Sequence, residues 1–239
     1  MIRRLSLLIG LCSMLPAYGA EIDNVDALAQ PQFRLLSEDL GAALSYKPLS
    51  PGEPLGVTGF DIGVEVTATK LKNAAILEQA TSDDAPASLP IAKLHAHKGL
   101  PFGIDVGLMY STVPDSNVDL WGAELRYAIL KGGVAKPALA LRASYSKLTG
   151  VDQLDFETMG LDLSISKGFA FLTPYLGAGK VWVTSTPQGS ASAFLTEEDF
   201  SLSKLFAGVN LNFGLMNFAF EADRTGDATS YGAKFGWRF

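Results

Sequence analysis

Residues 231–239 constrain the fold more than any other stretch of the chain. Tyr231, Ala233, Phe235, Trp237 and Phe239 share one parity, and Gly232, Lys234, Gly236 and Arg238 share the other. Successive side chains of a strand point to opposite faces. The segment therefore reads as a strand with an aromatic face on one side and glycine and cations on the other. Such a strand is stable where the aromatic face meets hydrocarbon and the opposite face meets a polar interior.

The same period recurs upstream. In 59–69, Phe60, Ile62, Val64 and Val66 oppose Asp61, Gly63, Glu65 and Thr67. In 91–97, Lys93, His95 and His97 oppose Ala92, Leu94 and Ala96. Stretches 102–110, 119–130, 138–148 and 157–166 set apolar residues, Phe102 first among them, against Asp105, Glu124 and Arg126, Arg142, and Asp162. In 203–213 and 217–224 the polar face holds Lys204, Glu221 and Asp223. Stretch 171–183 is ambiguous: Tyr175, Val181 and Val183 share a face, but Leu176 and Trp182 lie opposite. With the last strand this predicts about ten strands, near the roughly 9–11 residues that cross a bilayer when tilted. No internal apolar run reaches the roughly 20 residues of a membrane-spanning helix. An open sheet edge would leave backbone groups unsatisfied in lipid, so the sheet must close.

The final strand resembles the C-terminal signal strand of Gram-negative outer-membrane proteins, through Tyr231, Phe235, Trp237 and the terminal Phe239. The chain as a whole resembles small outer-membrane β-barrel proteins of Gram-negative bacteria. That resemblance implies recognition by the barrel-assembly machinery, escort by periplasmic chaperones, and residence among outer-membrane lipid and lipopolysaccharide. It also puts the C-terminus in the periplasm. Counting back from Phe239, the periplasmic turns fall near 214–215, 167–168, 131–136 and 98–101, all short. The external connections are 70–90, 112–117, 149–155, 184–199 and 225–229, two of them long, as expected for this class. Lysines dominate the turns, and Asp83-Asp84 and Glu197-Glu198-Asp199 make the outer loops acidic. Those carboxylates are mostly solvated charge; they are also hard oxygen ligands suited to sharing divalent cations with lipopolysaccharide.

The first residues read as a signal peptide, 1–19. Arg3 and Arg4 precede a short apolar core, Leu5 to Leu15, and Ala17-Tyr18-Gly19 offers small residues for cleavage after Gly19. Cys12, the only cysteine, lies in this leader, which removes disulfide and thiolate chemistry from the mature chain. The barrel is assigned to 56–239. Between them, 20–55 lacks the two-residue period. Phe33, Leu36, Leu40, Ala43 and Leu44 are spaced for a helix, and the proline-rich run Lys47 to Pro54 ends it. Tethered near the periplasmic mouth, this helix is expected to dock inside the barrel as a plug or to cap it from the periplasm, the alternative being a mobile leader. The glycines on the interior parity, such as Gly107, Gly122, Gly208 and Gly232, leave space that something must fill.

The fold expected is an all-β, closed antiparallel transmembrane barrel with a short N-terminal helix. Its lumen-facing charges are Asp61, Glu65, Lys93, Asp105, Glu124, Arg126, Arg142, Asp162, Lys204, Glu221, Asp223, Lys234 and Arg238. Both signs in a narrow interior should pair to offset desolvation. That favours a filled lumen with a structural or surface-interaction role over a narrow channel or transporter. A barrel enzyme is disfavoured, because the only histidines, His95 and His97, lie toward the periplasmic end and nothing resembles a catalytic motif. No third ligand beside them is evident, so neither a metal nor a cofactor is expected. A net charge of −6 disfavours nucleic acid as a partner.

Overall fold

The computed structural model describes residues 22–81, 87–112, 118–133 and 135–239. The signal-peptide stretch and Asp83-Asp84 lie outside these residues. Ten strands form a closed barrel in which every strand pairs antiparallel with its sequence neighbours and β1 pairs with β10. They are β1 Phe60–Lys70, β2 Ser88–Gly99, β3 Ile104–Thr112, β4 Asp119–Lys131, β5 Ala138–Thr149, β6 Leu154–Ser166, β7 Leu172–Pro187, β8 Glu198–Phe213, β9 Met216–Thr225 and β10 Ala228–Arg238. The closing seam runs from Asp61 opposite Arg238 to Lys70 opposite Thr229. Phe239 locks its lower corner, exchanging backbone hydrogen bonds of 2.8 and 3.0 Å with Phe60. We call the end bearing Phe239 the near end and the opposite one the far end.

Strand bounds follow the alternation closely, with three instructive departures. Phe102, read as the first outward residue of a strand, instead sits in a 3-10 turn with φ 67°. Pro101 cannot donate to a sheet ladder, so β3 starts only at Ile104. The far-end connection after β1 contains an α-helix where a plain loop is expected. Leu77, Ala80 and Thr81 give it an i, i+3, i+4 buried stripe. β7 and β8 are 16 residues each and extend beyond the bilayer-crossing length, which shortens their connection to 188–197.

Two α-helices are described: α1, Gln30–Leu44, and α2, Ala74–Thr81 in that far-end connection. Neither is long and apolar enough to cross a membrane. Helix α1 lies at the far end of the barrel. Its N-terminal turn bonds the 188–197 connection: Gln30 Nε2 donates to the Thr196 carbonyl (3.1 Å), and Thr196 N donates back to Gln30 Oε1 (2.9 Å). Arg34 lies 3.1 Å from Glu198 and stacks 3.8 Å over the Phe200 ring. Asp39 accepts from the backbone N–H groups of Lys72 (3.1 Å) and Asn73 (2.7 Å).

The position of α1, packed against the inner wall of the far half, departs from the expected cap at the near mouth but not from the expected plug. The reason is the conformation of the segment that follows it. Pro48, Pro51 and Pro54 keep residues 45–55 from continuing the helix. Residues 45–55 are not uniformly extended, Leu49 being left-handed at φ 45°, but a chain of eleven residues can reach up to roughly 35 Å, against an apolar band about 25 Å tall. The segment runs down the inside of the barrel from α1 to the near end and turns at Gly56–Gly59 into β1, where Gly59 N donates to Gly56 O at 3.0 Å.

The ambiguity of β7 resolves on the same basis. Leu176 and Trp182 face outward, 56% and 42% exposed, while Tyr175, Val181 and Val183 are buried inside. The interior of the far half is apolar: Phe33, Leu36 and Leu40 of α1 pack with Met109, Leu148, Phe156, Val181 and Val183 of the wall. Alternation weakens there because both faces of the strand meet apolar surroundings. Gly41 provides the close approach, since a Cβ at that position would lie 2.7 Å from Val183 Cγ2.

Candidate functional site

The near half of the lumen is polar. Twelve of the residues assigned there by parity are buried inside: Asp61, Glu65, Lys93, Asp105, Glu124, Arg126, Arg142, Asp162, Lys204, Glu221, Asp223 and Lys234. Arg238 sits at the near mouth with its side chain 11% exposed. Their placement follows from register: β1 sets Glu65 opposite Lys93, and β5 sets Arg142 opposite Asp162.

The segment inside this wall has a donor deficit. Its three prolines have no N–H, while every residue keeps a carbonyl. The cations of the wall meet those carbonyls. Lys204 donates to the carbonyl of Tyr46 (3.0 Å), Lys93 to that of Lys47 (3.4 Å) and Arg142 to that of Ser50 (3.4 Å). Arg126 donates to the carbonyl of Pro51 (2.7 Å) and Arg238 to that of Glu53 (3.5 Å).

Each of these five cations also holds a carboxylate of the wall. Lys204 lies 3.4 Å from Asp162, Lys93 2.9 Å from Glu65 and Arg142 3.1 Å from Glu124. Arg126 lies 2.6 Å from Asp105, and Arg238 3.7 Å from Asp61. At the near mouth the polarity reverses, and Leu55 N donates to Asp105 at 3.1 Å. A buried charge is tolerated when it is both paired and hydrogen-bonded. Here the wall carboxylate supplies the pairing and the internal segment supplies the remaining acceptor.

Sequence reasoning identified the wall cations but not their second partners, Tyr46, Lys47, Ser50, Pro51 and Glu53. The readable signal was the surplus of acceptors created by Pro48, Pro51 and Pro54. Lys47 was also missed as a lumen charge. Its ammonium donates to the carbonyl of Ala42 and to Ser45 Oγ (3.0 Å). It therefore caps the C-terminal turn of α1, where a cation complements the helix dipole. Glu221 and Asp223 have no cation within 4.0 Å among the described residues, and Asp223 accepts from Thr225 Oγ1 at 2.9 Å.

The interior glycines are filled as well as spaced. The ring of His97 occupies the place of a Cβ on Gly107, and that of Tyr175 the place of one on Gly208. The side chain of Leu49 packs over Gly232, and the ring of Tyr46 over Gly122.

His95 and His97 both point inward and are buried. His95 Nε2 lies 3.2 Å from Asp61, and His97 Nε2 lies 3.6 Å from Glu124 and 3.3 Å from the Tyr46 hydroxyl. Asp61, His95 and His97 together offer three ligand atoms within 4.8 Å of one another, so the fold supplies the third ligand that sequence lacked. Asp61 already carries Lys234 at 2.8 Å and Arg238 at 3.7 Å. A divalent ion there would face two fixed positive charges, so the cluster is better suited to a charge network than to a metal.

The C-terminal residues Tyr231, Trp237 and Phe239 face outward, 64%, 42% and 61% exposed. Phe235 packs between Phe218 and Trp237 with tilted rings, their centroids 5.0 and 5.8 Å away. Of the acidic far-end loop, Glu198 is bound by Gln30 and Arg34, and Glu197 accepts from Thr186 Oγ1 at 2.8 Å.

No protein-family model matches the chain, and no curated protein does. Among solved structures, the N-terminal β-barrel domain of OprF from Pseudomonas aeruginosa is similar at 15% identity and TM-score 0.40, over 77% of this chain and 99% of that one. Ail of Yersinia pestis, solved with the heparin analogue sucrose octasulfate, is similar at 11% identity and TM-score 0.29, over 76% of this chain and 97% of that one. Neisserial surface protein A is similar at 11% identity and TM-score 0.29, over 75% of this chain and 95% of that one. These are likenesses of barrel architecture alone.

Proposed function

We propose that this protein is an integral outer-membrane β-barrel whose lumen is closed by its own N-terminal segment, with a structural or surface-interaction role at the far, external face. The observation that carries this reading is the row of five wall cations, each joined to a wall carboxylate and to a carbonyl of residues 46–53. A diffusion channel needs a free polar lumen; here the polar wall is spent on an internal polypeptide.

The membrane location is supported by the outer wall. Ile62, Leu94, Leu108, Leu125, Leu161 and Phe220, on β1, β2, β3, β4, β6 and β9, are 43–63% exposed, an apolar surface with no reason to face water. Short turns at the Phe239 end and longer connections at the other support an orientation with the near end in the periplasm. The partners of this reading are outer-membrane lipid and lipopolysaccharide, with periplasmic chaperones and the barrel-assembly machinery during biogenesis. It assigns no catalytic step, because both histidines are enclosed by ion pairs.

Planar-bilayer recording tests it. The full-length protein inserts without discrete conductance steps; stable ohmic steps of constant size would replace the closed barrel with the narrow channel.

A further inference from the structure

The segment inside the barrel has a direction. Leu55 and Glu53 lie at the near end, bonded to Asp105 and Arg238. Ser50 and Pro51 meet Arg126 farther in, and Tyr46 meets Lys204 beyond them. Helix α1 then occupies the far half, so residues 22–29, which precede it, emerge at the far end.

They are built into that end. Asn24 N donates to the Ala80 carbonyl of α2 (3.0 Å), and Asp26 N donates to Gln153 Oε1 of the β5–β6 connection (3.1 Å). Val25 and Leu28 are buried at 0% and 4% exposure beneath α2 and the 188–197 connection, while Asp23 is exposed.

Resting on the outer-membrane orientation proposed above, we infer a further function: the barrel is a conduit for its own polypeptide and displays its N-terminal segment on the cell surface. The chemical class recognised by the lumen is an extended polypeptide, held chiefly by main-chain carbonyls. Each of the five contacts from Lys204, Lys93, Arg142, Arg126 and Arg238 reaches a backbone oxygen. A grip on carbonyls is largely indifferent to side chains, so the wall holds the segment in place without reading much of its sequence. The selective part is the far-half fit of Phe33, Leu36 and Leu40, which anchors the emerged end. At the far end, residues 22–29, which precede the barrel in sequence, are thus packed among three of its connections, those holding α2, Gln153 and residues 188–197.

Single-cysteine labelling of intact cells tests this, with three solvent-exposed positions: D23C in the N-terminal segment, Q188C in the far-end connection and L215C in the near-end turn. The unsubstituted chain gives the background from Cys12, and heat-modifiable gel mobility shows that each variant forms its barrel. With a membrane-impermeant maleimide, Q188C and D23C label to the same extent in intact cells, and L215C labels only after permeabilisation. If Q188C labels in intact cells and D23C requires permeabilisation, the display inference is overturned and the outer-membrane reading stands. If Q188C also requires permeabilisation, the orientation beneath both readings fails.

Discussion

The Arg126 guanidinium lies 2.6 Å from the Asp105 carboxylate and 2.7 Å from the carbonyl of Pro51, so one side chain ties the barrel wall to the chain inside it. Both residues of the pair are buried, Arg126 at 1% and Asp105 at 0% exposure. Removing one partner of such a pair leaves the other charge uncompensated, at a cost of about 3–5 kcal/mol. R126M should therefore lose about that much stability in reversible urea unfolding from phospholipid vesicles, and R126M/D105N should lose less than the sum of the single variants. Additive losses would mean that the two side chains act independently.

Helix α1 depends on a missing side chain. A Cβ on Gly41 would meet Val183 Cγ2 at 2.7 Å and Leu202 Cδ1 at 3.3 Å. Overpacking a closed interior costs about 1–3 kcal/mol. G41V should destabilise by that amount, and adding V183A should recover part of it by opening room on the wall. Comparable unfolding midpoints for wild type and G41V would place the helix elsewhere.

Asp39 provides a pH test outside the membrane-spanning strands. Burial raises its pKa above the ordinary carboxylate value, although the N–H groups of Asn73 and Lys72 pull the other way. A raised folded-state pKa means that the folded protein binds the proton more tightly than the unfolded chain. The native state thus gains stability from this group as pH falls through the raised value toward the unfolded one, and carries a penalty at neutral pH. Thermal unfolding of wild type and D39N at pH 7 and pH 4 should show wild type gaining relative to D39N at the lower pH. An unchanged difference would remove the burial argument.

Lys180 is the outward residue least suited to its place. It is exposed on β7, paired across the sheet with Leu161 and Ser203, and its outward neighbour Trp182 is 42% exposed. A lysine on the lipid face costs about 2–4 kcal/mol at the bilayer midplane and about 0–1 near the interface. K180L should accordingly raise stability in vesicles by about 1–3 kcal/mol. A loss of stability would indicate that the ammonium has a favourable partner in the membrane.

The barrel was legible in sequence because a two-faced strand writes its environment residue by residue. Asp61, Glu65 and Lys93 announce a polar interior simply by parity with Ile62, Val64 and Leu94. The far half was harder to read, since Val181 and Val183 face an apolar helix rather than water, and Trp182 between them faces outward. That the lumen cations pair with lumen acids was legible, but that they also hold an internal chain was not. Parity gives the side of a residue but not its partner, and Arg142 or Lys204 reads the same whether it faces water, an acid or a carbonyl. The route of residues 45–55 was hidden for a related reason: three prolines predict an extended chain but not the direction in which it runs. The helical stripe of α2, with Leu77, Ala80 and Thr81, was present in the sequence but sits inside a connection where strand signals dominate the neighbourhood.

The central claim is that the chain fills its own barrel, and one contact tests it directly. Leu49 adopts a left-handed backbone, φ 45°, and lays its side chain over Gly232 of β10. A Cβ on Gly232 would lie 3.2 Å from Leu49 Cγ, close to the spacing of a disulfide. In L49C/G232C, mild oxidation of the folded barrel should form an intramolecular cross-link that shifts the mobility of the unfolded chain and is reversed by thiol. Two free, alkylatable cysteines in a correctly folded barrel would contradict the account.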